Sequence, residues 1–195
     1  QFENYVIDAG GGSLSSLLGI PQCASVCSPQ EEEVLERTYA EIEQELFNRM
    51  EGAPIDQHIV LFLDGWESLI DNNMEVEEKT RHLVREGLSY NIHVVISASR
   101  WNNLRANIRD SLTTRWELRL GDTGDSIAGR KNAEQVPALP GRGMTAGGLH
   151  FLFALQDEDG LRAIAQQWSQ EEPVKPLLLL PRSVSTTQLG PVTAS

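Results

Sequence analysis

The sequence predicts an α/β layered fold built on a mostly parallel sheet. Three observations carry that expectation. Several short runs are apolar almost throughout, as strands buried on both faces are. Stretches with helical periodicity separate several of them. Glycine, proline and polar clusters close nearly every run. Strand–helix alternation of this kind suits a parallel sheet covered by helices.

Taken in order, Phe2 to Asp8 reads as the first strand. Gly10-Gly11-Gly12-Ser13 follows as a flexible turn, serving either as a strand-to-helix link or as backbone able to approach a phosphate. Ser13 is placed to cap a helical turn over Leu14 to Leu18. Ser28-Pro29-Gln30-Glu31 reads as a helix start, with Ser28 as cap, Pro29 at the first helical position and Glu31 completing a capping box. Apolar residues at Val34, Leu35, Tyr39, Ile42, Leu46, Phe47 and Met50 keep one helix face, and Gly52 and Pro54 stop it. Glu31, Glu32 and Glu33 suit the positive end of that helix. His58 to Asp64 is the next strand, Glu75 to Leu88 a helix ending near Gly87, and Asn91 to Trp101 another strand. Residues 102–114 read as irregular or briefly helical. Arg115 to Asp122 alternates like a strand, and 121–147 is rich in glycine, proline and polar residues, as loops are. Leu149 to Leu155 is a further strand and Asp159 to Trp168 a short helix. From Ser169 onward Pro173, Pro176, Pro181 and Pro191 imply an extended connector. The expected organisation is one module over 1–169 and a linker over 170–195.

A chain of 195 residues holds one domain with a sizeable core. Its net charge of −12, with only Lys79, Lys131 and Lys175 as lysines, argues against a groove that must replace phosphate counterions. Cys23 and Cys27 are the only cysteines. No histidine lies near them in sequence, so free, reduced thiols are expected rather than a zinc site. No apolar run approaches the ~20 residues that span a bilayer, and no signal peptide is visible.

The chemistry concentrates at His58-Ile59-Val60-Leu61-Phe62-Leu63-Asp64-Gly65-Trp66. Five apolar residues ending in Asp describe either an ordinary core strand or a Walker B strand, whose carboxylate holds magnesium through water. A working ATPase of this type usually follows that Asp with a Glu that orients the attacking water. Gly65 has no side chain to do so. A P-loop needs Gly-x-x-x-x-Gly-Lys and then Ser or Thr. No lysine here directly follows a glycine, so the 195 residues contain no Walker A motif.

Five segments in this order resemble the FtsK/SpoIIIE-type ATPase modules of the type VII secretion motor, the EccC and EssC proteins. They are Val6-Ile7-Asp8-Ala9-Gly10-Gly11-Gly12, Leu63-Asp64-Gly65-Trp66, His93 to Trp101, Thr114 to Asp122 with Asp125-Ser126, and Pro140 to Met144 running into Gly148 to Leu152. The resemblance covers roughly residues 1–169, and the Asp-Gly-Trp form is similar to the second and third modules of that motor. It implies a RecA-like P-loop fold lacking its Walker A strand and loop in this chain, with those parts upstream of Gln1. The absent strand is expected near the sheet centre, beside the Asp64 strand. The resemblance further implies ATP and Mg as cofactors, Asp64 binding Mg through water, Ser99 as a polar sensor of the γ-phosphate, and Arg115 as a candidate arginine finger toward a neighbouring subunit. Alternatives for these positions are a solvated strand end for Ser99 and an ion pair with Glu117 or Asp122 for Arg115. Arg119 and Asp122 read as structural, and Trp66 and Trp101 as core or interface packing.

The resulting expectation is a degenerate, regulatory ATP-binding module with slow or no hydrolysis. It would couple nucleotide or substrate occupancy to an adjacent active module, in the cytoplasm at the inner face of the cell membrane. Expected partners are adjacent ATPase modules within a larger oligomer and small helical-hairpin secreted substrates, with no nucleic acid and no direct membrane contact. Two alternatives stay open: a nucleotide-independent module that recognises exported helical hairpins, and an FtsK-like DNA translocase, against which the charge speaks.

Overall fold

A computed structural model describes residues 2–179, apart from 72, 156 and 171. Its centre is a four-stranded, wholly parallel sheet: β1 (Phe2–Asp8), β2 (Cys23–Cys27), β3 (His58–Asp64) and β4 (Ile92–Ile96), in the order β2-β1-β3-β4. Helices α1 (Glu32–Met50) and α3 (Met74–Glu86) supply the crossovers, and the short α2 (Trp66–Ile70) follows β3 directly. Tyr5, Ile7, Ile59, Leu61 and Leu63 form one core with Leu35, Tyr39, Ile42 and Leu46 of α1 and Val76 and Leu83 of α3. The two helices are tied by a buried 2.7 Å hydrogen bond between the Tyr39 and Thr80 hydroxyls.

The unbroken apolar run of β3 leads one to expect burial on both faces. In the structure Ile59, Leu61 and Leu63 are buried, whereas His58, Val60, Phe62 and Asp64 are only partly so. On the same face as Val60 and Phe62, Phe2 is 54% and Val95 40% exposed. The helices cover one face of the sheet more completely than the other.

Several local expectations are corrected. β2 reads Cys-Ala-Ser-Val-Cys, a run too small and polar to signal a strand, and forms by pairing along β1. Burial pushes the Cys23 thiol up to about 11 and Cys27 to about 12, so both stay protonated near neutrality. Ser13 does not cap a helix. The turn over Ser15–Gly19 is a 3-10 helix preceded by Leu14, with no side-chain cap. Helix α1 begins at Glu32, after Pro29, and only the returning half of the capping box forms: Glu31 Oε2 accepts from the Ser28 N–H and hydroxyl, each at 2.9 Å. An additional strand beside the Asp64 strand is excluded, because β3 is paired along its length to β1 on one side and to β4 on the other.

The later strands leave the parallel sheet. β5 (Trp116–Leu118), β6 (Arg142–Thr145) and β7 (His150–Leu152) form a separate antiparallel sheet. β6 falls where loops were expected. Gly143 allows it: a β-carbon there would lie 2.5 Å from the Glu117 carbonyl oxygen and from the Phe151 ring. α4 (Ala106–Arg109), before β5, and α5 (Arg130–Ala133), between β5 and β6, are single turns, and α6 (Glu158–Gln167) follows β7. Residues 172–179, within the expected linker, form no helix or strand and are docked. The Val174 N–H donates to the Pro21 carbonyl at 2.9 Å, the Leu177 N–H to that of Ala24 at 3.2 Å, and Val174 joins the main core. The rest of the expected linker, 180–195, lies outside the described residues. Among the described residues, no helix is long and apolar enough to cross a membrane.

Candidate functional site at the carboxyl ends of the parallel strands

In a parallel α/β sheet the polar residue that ends each strand emerges at one edge, where ligands of such folds bind. Here that edge collects Asp8 from β1, Asp64 from β3 and Ser97 after β4. Asp8 and Asp64 are register partners, and the Leu63–Ile96 pair sets Ser97 beside Asp64.

Asp64 is partly exposed. Its Oδ1 accepts a 2.5 Å hydrogen bond from Ser97 Oγ, which itself accepts from the Gly65 N–H at 2.9 Å. Ser97 N–H donates to the Leu63 carbonyl and the Trp66 N–H to the Ser97 carbonyl, which closes the junction between the two strand ends. The Oδ2 side lies against Gly10, where a β-carbon would come within 2.0 Å of that oxygen. Gly65 adopts a left-handed conformation (φ +74°), and a β-carbon on it would lie 2.9 Å from Ala9 C and Gly10 N. A glutamate is therefore disfavoured at position 65 by both dihedral angle and space.

The N–H groups of the glycine turn converge on Asp8. Asp8 is 5% exposed. Its Oδ1 accepts from Gly10 and Gly12 N–H, each at 3.1 Å, and its Oδ2 from Leu14 N–H at 2.8 Å. Burial works to raise the Asp8 pKa, but the N–H groups of Leu14, Gly12, Gly10 and Gly11 outweigh it and hold the carboxyl below its usual value. The donors that a phosphate would use in this turn are thus engaged by Asp8.

Ser99 lies in a second cluster. Its N–H and Oγ donate to Glu67 Oε1 at 2.7 and 2.8 Å, and Asn103 Nδ2 adds a third bond at 2.6 Å. Burial pulls the Glu67 pKa upward, but donors from Asn103, its own backbone and Ser99 prevail and lower it. The hydroxyl brought to Asp64 is that of Ser97, which the sequence reading missed. Its signal was legible, since Ser97 is the first polar residue after the apolar run of β4, as Asp64 is after that of β3. Arg115 turns to the backbone: Nε donates to the Leu112 carbonyl at 3.1 Å and a terminal nitrogen to that of Arg109 at 2.8 Å. Glu117, 2% exposed, accepts instead from Trp101 Nε1 (3.0 Å), Ser126 Oγ (2.6 Å) and Ile127 N–H (3.0 Å). Asp122 accepts from Gly124 N–H, Arg119 donates to the Val136 carbonyl, and Trp66 is fully buried.

The donor set at Asp64 fits a hydrated divalent cation: an accessible carboxylate on a rigid strand end, steadied by a hydroxyl. The chain's own turn does not fit as a phosphate cradle.

Residues 2–159 match the FtsK/SpoIIIE family, and the chain belongs to it. It is 35% identical to the ESX-4 secretion system protein EccC4 of Mycobacterium tuberculosis, over 94% of this chain and 16% of that protein. It is also 35% identical to the ESX secretion system protein EccC of Thermomonospora curvata, over 82% of this chain and 14% of that protein. The chain therefore spans a minor part of these relatives' length. Its structure aligns with ATPases 2 and 3 of Thermomonospora curvata EccC, solved in complex with a signal sequence peptide, at a TM-score of 0.81 and 32% identity, covering 97% of this chain and 40% of that one. ATPases 2 and 3 of EssC from Geobacillus thermodenitrificans share the fold at a TM-score of 0.74 and 18% identity, over 96% of this chain and 42% of that one. The α/β parallel-sheet fold is thus that of the EccC and EssC ATPase domains, which are RecA-like.

Proposed function

We propose that this chain is a degenerate, regulatory ATP-binding module of a type VII protein secretion ATPase, with little or no hydrolysis of its own. The observation that carries this reading is the Asp64–Gly65 junction. The metal-position carboxylate is supported by Ser97, while the position of the usual glutamate is held by a left-handed glycine packed on Ala9 and Gly10. Asp64 would hold Mg through water, and a bound Mg–ATP would supply the phosphate charge whose occupancy the module reports. The phosphate cradle comes from polypeptide other than these 195 residues, since none of them forms a P-loop. The module works beside active ATPase modules, on the cytoplasmic side of a membrane-anchored complex. An arginine-finger role for Arg115 requires it to leave the Leu112 and Arg109 carbonyls. Ser99, bonded to Glu67, would sense a γ-phosphate only through movement of that cluster.

Calorimetric titration with Mg–ATP tests the reading. This chain is compared with a longer protein extended upstream by about 60–80 residues, enough for a strand, P-loop and helix. Binding by the longer protein alone is the expected result. If neither binds, nucleotide has no part in this module. Restoring turnover with Gly65→Glu is a poor test, because that side chain strains the junction it is meant to repair.

A second reading is recognition of exported helical hairpins without nucleotide. Trp116, Leu118, Leu152 and Phe153, on or beside the antiparallel sheet, are each more than 40% exposed, and an apolar helix face would cover them.

A further inference from the structure

We infer that Asp8 is a positioning residue for the Asp64 carboxylate, acting through the Gly10–Leu14 turn. The inference rests on the metal-position reading of Asp64 given above.

β1 and β3 run in full register, so their final aspartates stand side by side. Two carboxylates in that arrangement repel unless one is compensated. Asp8 is compensated by three backbone N–H donors, from Gly10, Gly12 and Leu14, at 3.1, 3.1 and 2.8 Å. Its charge is turned toward the loop, which leaves Asp64 as the more accessible acceptor at the strand edge.

The same three bonds fold the loop back over the sheet edge. Gly10 is thereby delivered to Asp64 Oδ2, so close that no β-carbon fits between them. The turn is sewn to β3 by the Ala9 N–H, which donates to the Asp64 carbonyl at 2.9 Å, and by Gly65, whose missing side chain admits the Ala9–Gly10 peptide. Asp64 is therefore held between a hydrogen bond from Ser97 Oγ to Oδ1 and steric packing of Gly10 against Oδ2. Ser97 is set by the β3–β4 register. Gly10 is set by Asp8. If Asp8 loses its acceptor oxygens the turn loses its centre, and Asp64 keeps one support.

The test uses the full chain with Mn2+ as the probe, read by paramagnetic broadening of the Gly65 and Ser97 amide resonances. Wild type, Asp8→Asn and Asp8→Ala are compared, each first shown to unfold cooperatively. Support groups around a metal position typically change affinity by ~10-fold or more when removed. We expect about that loss in Asp8→Ala, and a smaller loss in Asp8→Asn, whose remaining carbonyl oxygen still accepts from part of the turn. Equal Mn2+ affinity in wild type and Asp8→Ala overturns the inference. Equal losses in both variants also overturn it, because that pattern means Asp8 attracts the cation by charge. If Mn2+ leaves the wild-type signals untouched, the metal reading of Asp64 fails. The positioning role is then decided on the same samples without metal: displaced Gly65 and Ser97 amide resonances in Asp8→Ala sustain it, and unmoved ones overturn it.

Discussion

Strands β1 and β3 lie side by side, and both end in an aspartate with glycine close behind, yet the two carboxylates live differently. Asp8 is 5% exposed and surrounded by backbone N–H groups from its own loop. Asp64 is partly exposed and receives a hydroxyl from the neighbouring strand end. The loop that follows each strand makes the difference. After β1 the chain turns back on itself over several residues, so its N–H groups converge on Asp8. After β3 the chain enters α2 at once through a left-handed glycine, which points the backbone away from Asp64. A similar sequence ending thus produces a structural anchor in one strand and an available acceptor in the next.

The comparison can be broken at several points. The largest effect is expected at Gly65, where β1 and β3 interlock. Gly65→Ala forces a β-carbon into a left-handed residue and to within 2.9 Å of the Ala9–Gly10 backbone. A loss of about 3 kcal/mol or more is expected in urea unfolding. A loss below about 1 kcal/mol would mean that the two strand ends are not packed as described.

Next comes the asymmetry between the aspartates. Asp8→Ala removes the charged acceptor that the Gly10, Gly12 and Leu14 N–H groups share and should cost about 2–3 kcal/mol. Asp64→Ala, at a partly exposed acceptor, should cost less than about 1 kcal/mol. Similar costs from the same denaturation experiment would erase the distinction between anchor and acceptor.

The asymmetry also has a pH signature. The folded-state pKa of Asp8 lies below that of an unfolded aspartate. Its contribution is therefore complete above the unfolded value of about 3.9, and fades as pH falls through the lower folded value. The stability gap between wild type and Asp8→Asn should hold from neutrality down to that range and then close. A gap that stays constant to pH 2 would show that the carboxylate charge plays no part.

The smallest effect sharpens the choice between two serines. Ser97→Ala removes the hydroxyl on Asp64 and should cost about 1 kcal/mol together with weaker Mn2+ broadening at Gly65. Ser99→Ala removes one of several bonds to Glu67. It should leave Mn2+ binding unchanged, and the reverse pattern would move the site to the Ser99 cluster.

Much of the fold was legible. β1, β3, β4, α1, α3 and α6 follow from local periodicity and local stops, and Asp64 from the polar end of an apolar run. β2 and β6 were not, because Cys-Ala-Ser-Val-Cys and Arg-Gly-Met-Thr carry no strand pattern of their own. Each exists because a neighbouring strand offers an edge, and in β6 because Gly143 makes room for the Phe151 ring. The glycine turn was visible as a turn, but the direction of its N–H groups was not. That direction depends on the carboxylate at its centre.

By itself, then, the sequence determined the α/β class, the strand ends that carry polar groups, and the lack of a P-loop within these residues, since each is written in residue type and short-range spacing. Tertiary structure decided which aspartate is occupied and which is available, that Ser97 rather than Ser99 reaches Asp64, and that position 65 resists a glutamate. The first depends on how the turn after β1 closes around its own carboxylate, the second on the β3–β4 register, and the third on backbone from β1 meeting backbone from β3 across some 55 residues of sequence, a contact that no local pattern encodes.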